Sequence, residues 1–254
     1  MMANRHSKIL EIISRHRRAE VSTLAELLKV SQVTIRKDLD ILEEKGFIRR
    51  EHGYASLNDS DDTGRRMAYN YEIKRRIAKA AAATVEDGET VMIESGSCCA
   101  LLAEELANSG NDITIVTNSA FIANYIRYSS HTKVILLGGY FQPDSQVVVG
   151  PMTRKCGEIF FSDKFFIGTN GFINNYGFTG KDLLRSQTVM DLTEFARDII
   201  VLTDAEKFSR HGALGLVKLE NVATVFTDDR IPLETEKLLL DNNIILHKVP
   251  HAGG

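Results

Sequence analysis

The chain has 254 residues, 43% of them hydrophobic, 26% charged and 7% aromatic, a balance that supports sizeable buried cores and excludes disorder, collagen or a coiled coil as the main architecture. No stretch approaches the roughly 20 uninterrupted apolar residues of a membrane span, and the first residues lack a secretory apolar region, so the sequence reads as cytoplasmic, with no membrane partner. The formal net charge of −3 hides a division: residues 1–57 carry 11 Lys and Arg against 8 Asp and Glu, net +3, leaving −6 elsewhere, as expected of a head that meets phosphate backbone and a body that does not.

In chain order, the periodicity predicts a helix over 7–14, with Ile9, Leu10, Ile12 and Ile13 on one side and Arg15, His16, Arg17 and Arg18 at its end. Ser22 is the expected N-cap of a second helix over 23–28, in which Leu24, Leu27 and Leu28 are apolar. Lys29 and Val30 lead to a second cap, Ser31, and a third helix with Val33, Ile35, Leu39, Ile41 and Leu42 as its core face and Gln32, Thr34, Arg36, Lys37 and Asp40 on other faces; Gly46 ends it. Residues 47–57 read as a hairpin. Two short helices joined by a tight turn and followed by a β-ribbon spell a winged helix-turn-helix, with a three-helix cap bearing a solvated charged face as the competing reading. The candidate contacts with double-stranded operator DNA are Ser31, Gln32, Thr34, Arg36 and Lys37 on the third helix, whose amino end suits the major groove, and Arg49, Arg50 and His52 on the wing, along the sugar-phosphate backbone or minor groove.

Residues 58–64 contain almost no apolar mass and read as a linker, followed by a long alanine-rich helix over 65–85 that Asp87 and Gly88 terminate. Beyond it, expected strands at 90–93, 113–117, 133–137, 164–168, 199–203 and 222–227 alternate with helical segments at 99–108, 119–128 and 182–195, the pattern of a mostly parallel α/β sheet with ligands at the carboxyl ends of its strands. The expected organisation is a DNA-binding head over 1–57, a connecting stretch over 58–76, and a larger α/β domain over 77–254.

The strand ends carry the candidate ligand site. Ser95, Gly96, Ser97 and Cys98 form a small-residue loop at a helix amino end, where backbone N–H groups suit phosphate, although a short strand-to-helix turn needs small residues in any case. Thr117 and Asn118, Gly138 and Gly139, Asn170, and Asp204 with Lys207 follow other strands, and residues 177–181, with Thr179 and Lys181, add a turn. Lys207 is the leading candidate for a phosphate's counter-charge, with Lys181 second. Three cysteines, Cys98, Cys99 and Cys156, are too few for a disulfide framework, and no Cys or His spacing suggests a metal or another cofactor. A helix amino end can depress the thiol of Cys98, but ordinary packing is the simpler reading of a small buried cysteine.

The run Val30 to Leu39, followed by Leu42 to Gly46 and Arg49 to Gly53, resembles the signature of the DeoR family of bacterial transcription regulators, departing from it at Tyr54, where the family shows a second glycine. The likeness continues through the body: residues 94–97 fall where the family has an Asp-Ser-Gly-Thr-type loop, and Thr117 to Ser119, Gly138-Gly139, Val149-Gly150, residues 163–168, residues 177–179 and residues 204–208 match further positions in order, so that it spans about residues 5–248. The resemblance implies a repressor with a sensor domain of the ribose-5-phosphate isomerase and glucosamine-6-phosphate deaminase fold, which binds a phosphorylated sugar or polyol. It also raises a rival, an isomerase or deaminase carrying a DNA-binding head. That chemistry needs a carboxylate base beside the sugar, and where the deaminases have an Asp-Gly-His turn this chain has Asn170 and Phe172, though Asp182, Asp204 and Glu206 remain nearby. One small head buries only about 600–1,000 Å² against DNA, so a homo-oligomer is expected.

Overall fold

The computed structural model describes residues 2–57 and 63–251 and divides the chain into two compact units between Glu72 and Ile73. Residues 58–62 of the expected linker lie outside the described residues.

In the first unit, α1 (Met2–His16) buries Ile9, Leu10 and Ile13, and Arg17, at a φ of 63°, turns the chain into a short strand, β1 (Arg18–Glu20), that the pattern of the sequence did not foretell. A three-residue strand is too short for period-two alternation to register. Helix α2 (Val21–Leu28) starts earlier than expected, with Glu20 at the N-cap; Ser22 lies inside the helix and its hydroxyl donates to Glu20 Oε2 at 2.9 Å, so Ser22 does not cap. Helix α3 (Gln32–Glu44) is capped by Ser31 as expected. Its core stripe is Ile35, Asp38, Leu39 and Leu42, whereas Val33, expected in the core, is 58% exposed, and Leu27 of α2 is 59% exposed. The wing strands β2 (Ile48–Glu51) and β3 (Tyr54–Leu57) pair antiparallel, and His52 and Gly53 between them both have positive φ, the geometry of a two-residue hairpin turn that a glycine makes easy. Strand β1 adds to the far side of β3, giving the order β1-β3-β2. The expected single helix over 65–85 is two, α4 (Thr63–Ala68) and α5 (Tyr71–Ala82), because Asn70 takes a left-handed φ of 56°, a conformation that asparagine tolerates and that ends a helix. Phe47 meets the ring of Tyr71 edge-on, and Ser7 donates a hydrogen bond to Glu72.

The second unit is built on a seven-stranded sheet whose neighbours all pair parallel. Strands β4 (Thr90–Ile93), β5 (Ile113–Thr117) and β6 (Thr132–Leu136) step outward in one direction. The chain passes through the antiparallel hairpin β7 (Tyr140–Gln142) and β8 (Val147–Val149), then returns to the other side of β4 with β9 (Ser162–Ile167). Residues 177–181, expected as a turn, instead supply β11 (Gly177–Gly180), which pairs with β10 (Gly171–Ile173) and, further on, with β13 (Leu214–Lys218) in a small antiparallel sheet. Its buried Phe178 explains why a glycine-flanked run becomes a strand: the ring packs against Phe172 and Phe208, and the glycines let other backbone come close. The main sheet is completed by β12 (Ala196–Leu202), β14 (Thr224–Asp228) and β15 (Ile245–Val249), the last not foreseen, in the order β15-β14-β12-β9-β4-β5-β6. Helices α6 (Ser97–Ala107), α7 (Ala120–Tyr125), α8 (Pro151–Gly157), α9 (Leu183–Thr193) and α10 (Leu233–Asp241) connect them. The strand order reverses between β4 and β9, and the crevice outside the carboxyl ends at such a switch point is the usual place for a ligand in these sheets. No helix among the described residues is long and apolar enough to cross a membrane.

Candidate functional site

Two regions concern function, one in each unit. In the first, Ser31 accepts from the Thr34 N–H at 3.1 Å and shares a 2.9 Å bond with the Thr34 hydroxyl, so these two side chains organise the start of α3. Gln32, Arg36 and Lys37 are exposed, and the Arg36 guanidinium donates to Gln32 Oε1 at 3.4 Å one turn back. The helix is fastened from behind by Asp38, only 1% exposed, whose carboxylate takes Arg5 Nε at 2.5 Å and Nη2 at 2.8 Å, with His6 Nε2 at 3.1 Å. Burial alone would push that carboxyl upward; Arg5 and His6 outweigh it and hold it below the usual aspartate range.

On the wing, Arg49 and His52 are exposed, but Arg50 is not a free cation: its N–H donates to Glu43 Oε1 at 2.8 Å and its guanidinium pairs with Asp40, bracing β2 against α3. Tyr54, where the resembled signature has glycine, lies under the Arg18 guanidinium at 3.7 Å and donates to Glu20, which is held below the usual glutamate range by that bond. The unforeseen β1 thus gives the substituted position its partners.

In the second unit, Glu94 joins the two strands at the switch: it accepts from Ser95 Oγ at 2.7 Å and from the Gly168 N–H at 3.2 Å. Gly96 and Gly168 pass so closely that a Cβ on Gly96 would come within 3.0 Å of Gly168 Cα, which is why both ends need glycine. Gly96 is the N-cap of α6, with no side-chain hydrogen bond capping the helix among the described residues, at the carboxyl end of β4. Cys98 is buried, and burial pushes its thiol up to about 12; Lys74 and Lys207 pull it down, while Asp204 and Asp228 push it up. Burial outweighs any depression by the helix end, and Cys98 is a thiol at neutral pH, in keeping with the packing reading.

The same electrostatic neighbourhood assembles the site. Asp204, 1% exposed at the end of β12, has Oδ1 without a hydrogen-bond partner among the described residues. Lys207, on the 3-10 turn Ala205–Ser209, is half-buried; burial lowers it below the usual lysine range, Arg210 and Lys181 add to that, and Asp204 opposes it. Cys98, Asp204 and Lys207 therefore lie within electrostatic reach of one another, and exposed Lys181 acts on Lys207 as well. Two other expected hydroxyls are already engaged. Thr117 donates to the Ile93 carbonyl at 2.6 Å and accepts from the Ser119 N–H, and Thr179 accepts from the Gly212 N–H at 2.8 Å, so both hydroxyls hold backbone. Asn118 Nδ2 donates to the Val148 carbonyl at 3.1 Å, leaving its buried Oδ1 open, and the Asn170 N–H donates to the Thr179 carbonyl. Gly138 and Gly139 lie against Cys156 and Thr153, on the hairpin side.

Two charged residues escaped the sequence reading. Asp228, at the end of β14, accepts from the Ala205 N–H at 2.7 Å and anchors the turn that carries Lys207. Lys74 is 4% exposed, and its charge pulls down the Cys98 thiol. Its signal was present: Lys74 shares the i, i+3, i+4, i+7 stripe with buried Ile77, Ala78 and Ala81.

Comparison with known proteins adds the following. Residues 5–61 match the model of a DeoR-like helix-turn-helix domain and residues 69–229 that of the DeoR C terminal sensor domain. The glycerol-3-phosphate regulon repressor of Escherichia coli (strain K12) is 29% identical over 245 residues, covering 95% of this chain and 97% of that protein. The uncharacterized HTH-type transcriptional regulator FruR of Bacillus subtilis (strain 168) is 30% identical over 243 residues, covering 94% and 93%. Among solved structures, ribose 5 phosphate isomerase A from Neisseria gonorrhoeae aligns over 54% of this chain and 53% of its own at 17% identity, with a TM-score of 0.41.

Proposed function

The chain belongs to the DeoR family of transcription regulators, and on that premise we propose that it represses an operon for carbohydrate uptake or catabolism and lets go of its operator when a phosphorylated sugar or polyol fills the crevice. The observation that carries the effector reading is Asp204: a carboxylate oxygen almost wholly buried, without a partner among the described residues, beside a half-buried lysine. Leaving a buried acceptor unmade costs about 1–3 kcal/mol, a cost that a ligand hydroxyl would relieve. Lys207 and the uncapped amino end of α6 supply what a phosphate needs, a nearby ammonium and backbone donors. Lys181 completes the cationic side. A relative named for glycerol 3-phosphate, a phosphorylated polyol, is consistent with this ligand class.

The DNA contacts in this reading are Ser31, Gln32, Thr34, Arg36 and Lys37 at the start of α3 and Arg49 and His52 on the wing, with Arg50 held as a brace. The head is taken as 1–57, the connecting stretch as 58–76 and the sensor as 77–254. Two heads per operator require a homo-oligomer; exposed Met152, Phe161, Leu183 and Leu184 on and beside α8 and α9 offer apolar surface for it. For occupancy to matter, the effector must favour one arrangement of that assembly, and a tenfold change in operator affinity takes about 1.4 kcal/mol of coupling. The reading is non-catalytic: Asn170 offers an amide where a base would stand, and Phe172 is buried against Phe178 and Phe208 at 5.2 and 5.4 Å.

The test is calorimetric titration of the full chain with glycerol 3-phosphate, ribose 5-phosphate and glucosamine 6-phosphate, each beside its unphosphorylated parent, together with an assay for turnover. Binding of a phosphorylated member at least tenfold tighter than its parent, lost in Lys207→Ala and without turnover, is expected. Equal binding of the parent, or turnover that Asp204→Asn abolishes, overturns the reading.

A further inference from the structure

We propose that Val33 reads the C5-methyl group of a thymine in the operator. The inference rests on α3 entering the major groove, and it gives one residue of that helix a chemical target.

At about 3.6 residues per turn, Val33 points directly away from the stripe formed by Ile35, Asp38, Leu39 and Leu42, so it stands at the middle of the outward face of α3. Its neighbours one turn on, at i+3 and i+4, are Arg36 and Lys37, both exposed. A single exposed aliphatic side chain is commonplace, and Leu27 is one. What distinguishes Val33 is its setting: it lies in the first turn of the groove-facing helix, between cations suited to phosphate or guanine, where every other outward group is polar or charged. Of the features that bases present in the major groove, the thymine methyl is the apolar one, and small apolar side chains meet it. A β-branched side chain on a helix is also nearly confined to one rotamer, so Val33 is placed before DNA arrives, with little side-chain entropy left to lose. Gln32 and Arg36, linked to each other at 3.4 Å, then read hydrogen-bonding edges beside that methyl.

The experiment uses the full-length protein and a duplex enriched from a random pool by its own binding. Thymines are replaced one at a time by deoxyuridine, which removes only the methyl group, and affinity is measured by fluorescence anisotropy at fixed salt. With the wild type, one position in each half-site should lose about fourfold, the worth of one buried methyl group. Val33→Ala should bind thymine and uracil duplexes equally at that position, and Val33→Ile should retain the difference. Gln32→Ala and Arg36→Ala on the same duplex test the premise: if both leave affinity unchanged, α3 does not read this DNA and the assignment falls with it. If they weaken binding while no thymine is sensitive, or while Val33→Ala keeps the wild-type sensitivity, Val33 does not read a methyl group.

Discussion

On α3 the groups offered to a ligand, Gln32, Val33, Arg36 and Lys37, stand in solvent; in the crevice Lys74, Cys98 and Asp204 are buried and Lys207 is half-buried. The difference follows from the partners. DNA is a large polyanion that brings its own surface, so exposed side chains can wait in water at little cost to folding, and binding removes the water. A small anion brings too little surface for that, and its site must be desolvated and charged in advance, which costs stability in the empty protein. The head should therefore tolerate substitution of its reading groups without losing its fold, whereas the crevice should answer in stability as well as in binding.

The largest expected effect lies in the crevice. Lys207→Ala removes a charged hydrogen-bond donor worth about 1.5–3 kcal/mol to a bound phosphate and should raise the effector concentration needed for release by about 10- to 100-fold, while operator affinity without effector stays at the wild-type level. Equal response in variant and wild type would end the comparison on that side. Because burial, with Arg210 and Lys181, holds Lys207 below the usual lysine range, effector binding should also weaken with rising pH earlier than an ordinary lysine would dictate, and Lys207→Arg should remove that dependence.

Next is the one buried charge that the head does contain. Asp38→Asn should cost the head about 2 kcal/mol, less than a fully buried pair would, because Arg5 can turn back to water. The sign with pH follows from its depressed folded value: the contribution is complete above the ordinary aspartate range and is lost as pH falls through the lowered one. Acid unfolding of wild type and variant should therefore converge at low pH and separate above it; curves parallel across the range would mean that Asp38 is not the group responsible.

On the reading face, Gln32→Ala and Arg36→Ala should each weaken operator binding by about 1–2 kcal/mol with the thermal midpoint unchanged. A shifted midpoint would erase the contrast with the crevice. Smaller still, Arg49→Ala should reduce the salt slope of binding by about one unit, and Arg50→Ala by less, since Asp40 already occupies its guanidinium. Equal slopes lost at both positions would show that the brace opens on DNA. The smallest signal is negative: with its thiol near 12, Cys98 should resist iodoacetamide at pH 8 while unfolded protein reacts.

Local chemistry made much of this visible. The Ser31 cap, the wing turn at His52-Gly53 and the alternation of apolar strands with helices follow from short-range rules, and those elements stand where the pattern put them. The failures share a cause. Val33 fitted an apolar periodicity, but a 13-residue helix covers one stripe, and which apolar residues fall on it depends on what packs behind, here Asp38 with Arg5 and His6. Thr117 and Thr179 have the right type and place for a ligand, yet their hydroxyls hold neighbouring strands and turns, a competition invisible until those neighbours are known. Lys74 runs against the general tendency of a helix lysine to face water, and its packing reveals it.

What the sequence determined alone is therefore a set of local decisions: that Ser31 caps the third helix, where the wing turns, that the body is a parallel α/β sheet and that its strand ends carry small and polar residues. Tertiary structure decided the rest: that β9 returns beside β4 and sets the switch point there, that the charges of Asp204, Lys207 and Lys74 all bear on the Cys98 thiol, and that Arg50 is a brace while Val33 faces outward. The physical reason is range. Caps, turns and periodicity act over a few residues along the chain, whereas burial and pairing of charge depend on groups that only strand order brings together.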